Sequence, residues 1–446
     1  MAKARAEEPT LLFEADKTAL TTTVRMVLHT GTASDPDGKN GLANLVSELV
    51  LRGTKKRGRS EFQSALERMG ASFDVGASHD KIIYSGEVIK ENTQAFFKLI
   101  QETLTQPQLS AAEFERLKRE TIAEINSVKN SNGALAGMAL RRVVFEGTPL
   151  AVSGNGTLKT LGNIKMADVK AFYKQHYNRQ NILFGVVSSL PEKQIKELTG
   201  KIAKALPDGV KHVSTPYDLK LPAKPTLVLV DKAGTATGTV FMGQGGITAG
   251  DPDRFAIEVG NFSFGGEPLV SRLFRTVRGE LGYTYSISST YSAMGPLSRQ
   301  RGMFAVVSTP SMEFTTKTIH KSLQMWSEYR AKGVEKEELS LAADSIVNSY
   351  PFDFESADKR LAKRLYSHLY GVPIQSPEEY AKTIRGVTND KIRSSLKERQ
   401  TENGWWIVLV ADGAVMEKQL VEEQKEMAPG DQLEIALRYK PEQLVN

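Results

Sequence analysis

The alternation of apolar and polar residues along the chain predicts interleaved strands and helices. Thr21–His29 is rich in Thr and Val, which is typical of a strand. In Gly41–Arg52 the apolar residues recur three and four positions apart, which predicts an amphipathic helix with one buried face. The apolar positions of that helix are Leu42, Leu45, Val46, Leu49 and Val50.

The segments that follow continue the mixture but do not alternate regularly. The pattern predicts a helix over Ser60–Met69, strands around Phe73–Ala77 and Lys81–Val88, a helix over Asn92–Leu104, and a long helix opened by the capping box Ser110–Glu113. Parallel βαβ units would alternate strand and helix one by one. We therefore predict an α+β fold in which helices pack on a mostly antiparallel sheet.

An internal repeat indicates that this unit occurs twice. Thr23–Met26 matches Thr239–Met242, and Thr32–Asp37 matches Thr248–Asp253, both displaced by 216 positions (239 − 23). Later in each half, Ile164–Val169 and Val387–Ile392 share a pattern and precede strand-like runs, Asn181–Val187 and Trp405–Val410. The repeat predicts two homologous tandem domains, residues 1–215 and 216–446, joined through the proline-rich stretch Leu206–Pro225.

Composition excludes several kinds of chemistry. The chain has 446 residues, 40% hydrophobic and 25% charged, as expected of a globular protein with more than one domain. It contains no cysteine, which excludes disulfides, thiolate metal sites, iron–sulfur clusters and cysteine nucleophiles. No two of its six histidines lie three or four residues apart, so no single helix presents a histidine pair to a metal.

Charge and hydropathy indicate neither a nucleic-acid partner nor a membrane span. The net charge is +6, and the basic run Arg52–Arg59 has no accompanying aromatic platform, so we interpret it as a solvated loop between two helices. No run of about 18 apolar residues exists. Met1–Glu8 has no apolar core of a signal peptide, and it fits equally the remnant of a removed one and the native start of a cytoplasmic chain. For the compartment we favour the periplasm, with the cytoplasm as the alternative.

Two further segments match ligand-binding loops only in part. Gly260–Glu267 is glycine-rich but lacks the Gly-Lys-Ser/Thr that grips a phosphate, so we interpret it as a loop. Asp35–Gly38 begins like a calcium loop but lacks the later ligands and the closing Glu. Neither segment predicts a ligand site.

Two segments carry recognisable signatures. Gly41–Thr54 reads Gly-Leu-Ala-Asn-Leu-Val-Ser-Glu-Leu-Val-Leu-Arg-Gly-Thr, and Ser271–Ser286 reads Ser-Arg-Leu-Phe-Arg-Thr-Val-Arg-Gly-Glu-Leu-Gly-Tyr-Thr-Tyr-Ser. The first resembles the zinc helix of the pitrilysin (insulinase) family of metallopeptidases, Gly-Leu-Ala-His-x-x-Glu-His followed by Lys/Arg-Gly-Thr. The second resembles that family's C-terminal signature, Ser-x-Leu-Phe…Leu-Arg-Glu…Gly-Leu-Ala-Tyr-Ser. The resemblance spans essentially the whole chain, because the family unit is itself a tandem pair of α+β domains.

The resemblance implies that the zinc positions of this chain are degenerate. By position, Asn44 stands for the first His ligand, Ser47 for the general-base Glu and Glu48 for the second His. The distal Glu ligand corresponds to Glu124, although Glu120 lies one helical turn away. A hydrolytic zinc site needs imidazole ligands and a carboxylate base, which carboxamide and hydroxyl groups replace poorly. We expect no catalytic zinc in this chain and no hydrolysis by the chain alone.

The resemblance also implies a role for Arg278 and Tyr285, because the family's Arg and Tyr at these positions hold the substrate backbone beside the zinc. Some bacterial members are heterodimers in which one subunit carries zinc and the other the Arg/Tyr pair, closing like a clamshell around a peptide. The leading hypothesis is therefore a zinc-free, substrate-binding subunit whose partner is a zinc-bearing homologue of similar size. The alternatives are a scaffold subunit, like the zinc-free core proteins of respiratory complexes, and a stand-alone peptide-binding protein.

Overall fold

The computed structural model describes residues 10–213, 215–292, 300–425, 427 and 432–446. The chain forms two compact units, and neither is one continuous half of the sequence. The first unit contains residues up to Ile125, then Ser153–Thr215 and Phe352–Ile374. The second unit contains Asn126–Val152, Pro216–Pro351 and Gln375–Asn446.

Strands and helices follow one another in both units. The strands are β1 (Leu11–Ala15), β2 (Thr21–Leu28), β3 (Ala71–Ala77), β4 (Ile82–Ile89), β5 (Ile182–Ser188), β6 (Thr226–Asp231), β7 (Thr239–Gly245), β8 (Thr284–Ser292), β9 (Met303–Pro310), β10 (Trp406–Ala411) and β11 (Ile435–Tyr439). The helices are α1 (Leu42–Val50), α2 (Arg59–Arg68), α3 (Thr93–Thr105), α4 (Ala111–Ser127), α5 (Asn132–Val144), α6 (Leu158–Asn163), α7 (Met166–His176), α8 (Glu192–Ala205), α9 (Arg254–Asn261), α10 (Thr315–Lys332), α11 (Lys336–Ser349), α12 (Ala357–Tyr370), α13 (Pro377–Arg385), α14 (Asn389–Arg399), α15 (Gly413–Glu423) and α16 (Pro441–Val445).

The first unit is built on a five-stranded sheet in the order β1-β5-β2-β4-β3. Only β1 and β5 pair in parallel, and the other pairs are antiparallel. Helix α1 packs on β3 and α7, while α3 packs on β4 and α8. Helix α12 lies on β1 and β5, where Arg360 and Arg364 hold Glu14 through ion pairs of 2.6 and 3.2 Å.

The second unit repeats this plan around a six-stranded sheet in the order β11-β6-β10-β7-β9-β8. Strands β6 and β10 pair in parallel, and β10-β7-β9-β8 are antiparallel, as in the corresponding part of the first sheet. Helix α5 packs on β7 and β10, where the Leu140 side chain lies directly over Gly243. Strand β11 is added outside β6. The predicted α+β class and the duplication are thus both present in the fold.

Each half of the sequence gives one helical segment to the other half's unit. Residues 126–152, with α5, belong to the second unit, and residues 352–374, with α12, belong to the first. The predicted domain boundary at residue 215 coincides with one boundary between the units. The prediction of two continuous domains does not include the exchange of these two helical segments. The reason is physical: an amphipathic pattern shows that a helix has a buried face, not which sheet covers it.

Two interpretations of loops need correction. Gly260–Glu267, interpreted as a loop, continues α9 as a π-helical turn over Phe262–Gly266, because Phe264 is buried there and stacks on Tyr329 at 4.6 Å. The basic run Arg52–Arg59 does join α1 to α2, but it is not simply solvated, since Arg52, Arg57 and Arg59 all form ion pairs with glutamates. Within the described ranges no helix has the length and apolar character to cross a membrane.

Candidate functional site

Helix α1 carries three of the four positions expected to be degenerate. Its N-terminus is capped by Asp35, whose two carboxylate oxygens accept the backbone N–H groups of Gly41 and Ala43, both at 2.8 Å. Gly41 itself has a φ of 100°, a left-handed conformation that favours glycine at this entry to the helix. Burial raises the pKa of Asp35 to about 7, against the backbone hydrogen bonds, which lower it.

Asn44, Ser47 and Glu48 come together on one side of α1, and their polar groups satisfy one another. The Asn44 Nδ2 donates to Glu48 Oε1 at 3.0 Å, one turn along the helix. The Ser47 hydroxyl donates back to the Asn44 carbonyl oxygen at 2.8 Å, and the Ser47 side chain is fully buried. These groups therefore serve the helix itself.

Arg52, the first residue of the basic run between α1 and α2, places a cation beside these groups. Its side chain is only 12% exposed, and its guanidinium lies 2.6 Å from Glu120, 3.6 Å from Glu113 and 4.0 Å from Glu48. Hydrogen bonding to Arg52 lowers the pKa of Glu120. Burial raises the pKa of Glu48, and the nearby negative charges of Glu124 and Glu120 add to the rise. The structure thus brings Glu124 into the electrostatic neighbourhood of Glu48.

The residues at this site do not fit a catalytic zinc ion. Zinc sites of this kind are tetrahedral and use imidazole or carboxylate ligands, whereas here the carboxamide of Asn44 stands at one ligand position and the buried hydroxyl of Ser47 stands at the position of the general base. The Glu48 and Glu120 carboxylates are already paired with the Arg52 guanidinium. Over residues 10–213, 215–292, 300–425, 427 and 432–446, no three His, Asp or Glu side chains are arranged to hold a metal.

The second candidate site lies on the segment that joins α9 to β8. Phe274–Glu280 forms a π-helical turn, and the Leu281 N–H donates to the Thr276 carbonyl at 3.0 Å, five residues back. Gly282 then adopts a φ of 66°, which allows the chain to reverse into β8. This turn carries Arg278, and the first residues of β8 carry Tyr285.

Arg278 and Tyr285 are in direct contact. The Arg278 guanidinium carbon lies 4.5 Å from the ring centroid of Tyr285 and 4.5 Å from that of Phe274, so the cation is held between two aromatic rings. Arg278 is half-buried, and Tyr285 is 80% exposed. The rings of Phe274 and Tyr285 thus contact the Arg278 guanidinium, and the Tyr285 side chain is exposed to solvent.

A bulge in β8 turns Tyr285 toward solvent. Thr284 pairs with Pro310 but Ile287 pairs with Ser308, so β8 has one residue more than β9 over this interval. The Ser308 hydroxyl donates to the Thr284 hydroxyl at 3.1 Å and to the Ser286 carbonyl at 3.0 Å, which pins the bulge. In the part of the chain that the structure describes, no carboxylate or carbonyl is hydrogen-bonded to the Arg278 guanidinium or the Tyr285 hydroxyl. Both therefore present donors outward.

Sequence reasoning missed a convergence of histidines in the first unit, because the residues are far apart along the chain. Five of the six histidines belong to this unit. Three of them form hydrogen bonds with hydroxyls of one short segment, namely His176–Thr30 at 3.1 Å, His79–Thr32 at 2.9 Å and His212–Ser34 at 3.2 Å. This segment leads directly into Asp35 and α1, so the histidines buttress the entry to the degenerate helix.

Comparison with protein families matches both halves of the chain. The model described as Insulinase (Peptidase family M16) matches residues 10–157, and the model described as Peptidase M16 inactive domain matches residues 163–346. Together the two matches contain both signatures, since Asn44–Glu48 fall in the first and Arg278 and Tyr285 in the second.

Individual relatives are similar at low identity over long stretches. The Helicobacter pylori protein named non-peptidase homolog YmxG is 24% identical over 388 residues, which cover 86% of this chain and 87% of that protein. Cytochrome b-c1 complex subunit 1 of Caenorhabditis elegans is 23% identical over 211 residues, 45% of each chain. The crystal structure of a peptidase M16 inactive domain from Pseudomonas fluorescens is 22% identical with a TM-score of 0.81, covering 92% of this chain and 97% of that one. These likenesses extend the shared fold over nearly the whole chain.

Proposed function

The chain belongs to the insulinase family, peptidase family M16, and on that premise we propose that it is the zinc-free, substrate-binding subunit of a two-subunit zinc metallopeptidase. In this proposal a homologous partner of similar size supplies the zinc ion, and this chain supplies Arg278 and Tyr285. The two subunits close around a peptide substrate. The chain itself holds no metal and hydrolyses nothing alone.

The observation that carries the proposal is the outward presentation of the Arg278–Tyr285 pair. The Arg278 guanidinium has no counter-ion among the described residues and lies against the rings of Phe274 and Tyr285, so its N–H donors are left for a ligand from outside. The bulge that exposes Tyr285 re-aims a side chain at the start of a strand, which is a common position for bulges near active sites. Asn44, Ser47 and Glu48 instead form internal contacts.

The chemistry assigned to this chain is hydrogen-bond donation. The Arg278 guanidinium would donate to a backbone carbonyl of the peptide and so orient it. The Tyr285 hydroxyl would donate to the oxygen on which negative charge develops as the peptide bond is attacked. A donor aimed at developing charge lowers the barrier because it binds the transition state more strongly than the substrate.

Reconstitution tests the division of labour. The chain and a zinc-bearing homologue of similar size from the same genome, one that carries His-x-x-Glu-His, are purified separately and then mixed at equal concentrations. We expect neither to cleave a quenched fluorescent peptide alone, the mixture to cleave it, and the zinc content to follow the partner. Tight stoichiometric zinc in this isolated chain, or hydrolysis by it alone, would contradict the proposal.

The first prediction concerns the pair itself. Arg278→Ala and Tyr285→Phe should each lower kcat/KM of the assembled peptidase by about 10²-fold, the scale of losing one transition-state donor. Arg254→Ala is the matched control, because Arg254 also lies over an aromatic ring, that of Phe255, at 4.1 Å in the same unit. The control should change kcat/KM by less than about twofold. Equal rates for Arg278→Ala and the unmodified protein would remove the assigned role.

A scaffold subunit is the second candidate, favoured by the similarity to the C. elegans protein named cytochrome b-c1 complex subunit 1. A scaffold would depend on neither Arg278 nor Tyr285, and it would be purified within a membrane complex instead of with one partner of similar size. A stand-alone peptide-binding protein would instead bind peptide without any partner. Affinity purification of the full chain, followed by size measurement with and without the zinc-bearing homologue, separates the three.

A further inference from the structure

The turn that carries Arg278 depends on contacts outside itself. A π-helical turn is wider than an α-helical one, is rare, and is found mostly at functional sites. The π-helical turn of Phe274–Glu280 follows a segment in which Leu269 has a φ of 76°, an unusual conformation for a bulky side chain, with its side chain exposed. Such a segment needs external ties to keep one conformation.

Glu338, in the first turn of α11, supplies those ties. Its carboxylate accepts from the Arg272 Nε at 2.9 and 3.0 Å and from the Arg275 Nη2 at 3.0 Å. It also accepts the Glu335 backbone N–H at 2.9 Å, which closes a capping box on α11. The Ser263 hydroxyl donates to the Glu338 carbonyl at 3.3 Å, so one residue contacts both π-helical turns of this region.

The cluster of Arg272, Arg275 and Glu338 is buried enough for its charges to interact strongly. The side chains of Arg272 and Glu338 are both mostly buried, whereas Arg275 is largely exposed. Burial, the largest single influence, would raise the pKa of Glu338, but the hydrogen bonds from Arg272 and the Glu335 backbone and the charges of Arg272 and Arg275 together outweigh it, and the pKa is lowered. The pKa of Arg272 is raised, chiefly by the same hydrogen bond. The carboxylate therefore stays ionised and keeps both arginines in place.

We propose that Glu338 is a positioning residue for Arg278. Through Arg272 and Arg275 it holds the π-helical turn so that the Arg278 guanidinium stays between Phe274 and Tyr285 and faces the substrate. This inference rests on the proposed function, because it assigns Glu338 an effect on catalysis that passes through Arg278. A merely structural ion pair would stabilise the unit without any dependence on Arg278.

A double-mutant cycle in the assembled two-subunit peptidase separates these roles. Glu338→Gln keeps the size of the side chain and removes its charge, so the turn loosens. We expect kcat to fall by about 10-fold in the otherwise unmodified chain, since small misplacements of a positioned group are costly. In an Arg278→Ala background the same change should lower kcat by less than about twofold, because the group being positioned is gone.

Controls distinguish failure of this inference from failure of the proposed function. Asp253→Asn removes the charge of another buried carboxylate, which pairs with Lys391 and Arg399 in the same unit. This variant should lower Tm, and its effect on kcat should not depend on whether Arg278 is present. Equal losses from Glu338→Gln in both backgrounds, or no loss while Arg278→Ala is damaging, would overturn the positioning role alone. No loss from Arg278→Ala would overturn both proposals.

A milder variant covers the case in which Glu338→Gln does not fold. Arg275→Ala removes a single 3.0 Å hydrogen bond from a largely exposed side chain, so the unit should remain folded. Its loss of kcat should be smaller than that of Glu338→Gln and should likewise vanish in the Arg278→Ala background. A loss of the same size in both backgrounds would contradict the inference.

Discussion

The polar side chains of the two signature regions differ in where their partners lie. On α1, Asn44 donates to Glu48 and Ser47 donates back into the helix, and Arg52 lies among the nearby carboxylates. On the β8 side, Arg278 is held by ring faces alone and the Tyr285 hydroxyl projects into solvent. In the first region the polar side chains are paired mostly with one another, whereas the Arg278 guanidinium and the Tyr285 hydroxyl have no hydrogen-bond partner within the described chain.

Under the proposed function, this difference separates a region that serves the fold from a region that serves the chemistry. A buried polar group without a partner is costly, so a site that loses its metal is expected to acquire internal partners. The Asn44 amide and the Ser47 hydroxyl have such partners, in the Glu48 carboxylate and the Asn44 carbonyl oxygen. The Arg278 cation is half-buried and has no counter-ion among the described residues, which is what the proposed role in binding a peptide requires. The comparison therefore predicts stability effects from α1 and activity effects from the Arg278–Tyr285 pair.

The largest expected effect is the creation of a zinc site. The triple variant Asn44→His, Ser47→Glu and Glu48→His restores the residue types of the family helix on a backbone that already has the helical geometry. We expect the isolated chain to change from no bound zinc to about one equivalent, measured by elemental mass spectrometry after dialysis. A triple variant that folds but binds no zinc would show that more than the ligands has been lost.

The same variant also decides which glutamate is the distal ligand. Adding Glu124→Gln should abolish the restored zinc binding, whereas adding Glu120→Gln should leave it, because Glu120 is already paired with Arg52. The two residues lie one helical turn apart on α4, which makes each the matched control for the other. If adding Glu120→Gln abolishes zinc binding and adding Glu124→Gln does not, the distal ligand is Glu120 instead of Glu124.

The next effect contrasts the two arginines. Arg52→Met removes the cation from three glutamates and should destabilise the first unit by about 2 kcal/mol, less than for a fully buried ion pair because Glu48 and Glu120 are half-exposed. Arg278→Ala removes only contacts with aromatic rings and should cost below about 1 kcal/mol. Thermal unfolding of the isolated chain measures both. Equal losses of stability from Arg52→Met and Arg278→Ala would contradict the proposed difference between the two regions.

Sequence patterns captured the elements around the site because the signals there are local. The spacing of Leu42, Leu45 and Leu49 predicts α1 within a residue or two of its observed ends, and all three are buried. The repeat at 216 positions likewise predicts the two sheets, since β2 and β7 occupy equivalent places in them. The resemblance placed Arg278 and Tyr285 in one site, and the structure puts them in contact.

What the sequence did not predict depends on contacts that are distant along the chain. Arg52 belongs to a basic run in the sequence, and only the fold, which brings Glu113 and Glu120 of α4 to its guanidinium, reveals its glutamate partners. The exchange of α5 and α12 between the units has no local signal, because each helix is simply amphipathic or apolar on one face. The histidines look scattered because folding, not spacing, collects them beside residues 30–34.

The smallest effect concerns pH and belongs to the first unit. Burial lowers the pKa of His29 and of His176 to about 4, below the ordinary 6.5. The unfolded chain therefore binds protons first as the solution is acidified, so stability is fully present above pH 6.5 and is lost as the pH falls toward 4. Asp35 acts in the opposite sense, because its raised pKa, about 7, favours the folded state at low pH.

Comparing two chains that both contain Asp35 isolates the histidines. The double variant His29→Gln and His176→Gln cannot be protonated at these positions, so its Tm should fall less than that of the unmodified chain between pH 7 and pH 5. We expect the fall in Tm of the unmodified chain to exceed that of the double variant by several °C, read from the first unfolding transition. His368→Gln, at an exposed position of the same unit, should change the pH dependence less than the double variant does, because His368 only adds to the lowering of the His29 pKa through its charge. Parallel curves for the double variant would show that acid sensitivity does not arise at the entry to α1, and the stabilising role assigned to that region would then rest on Arg52.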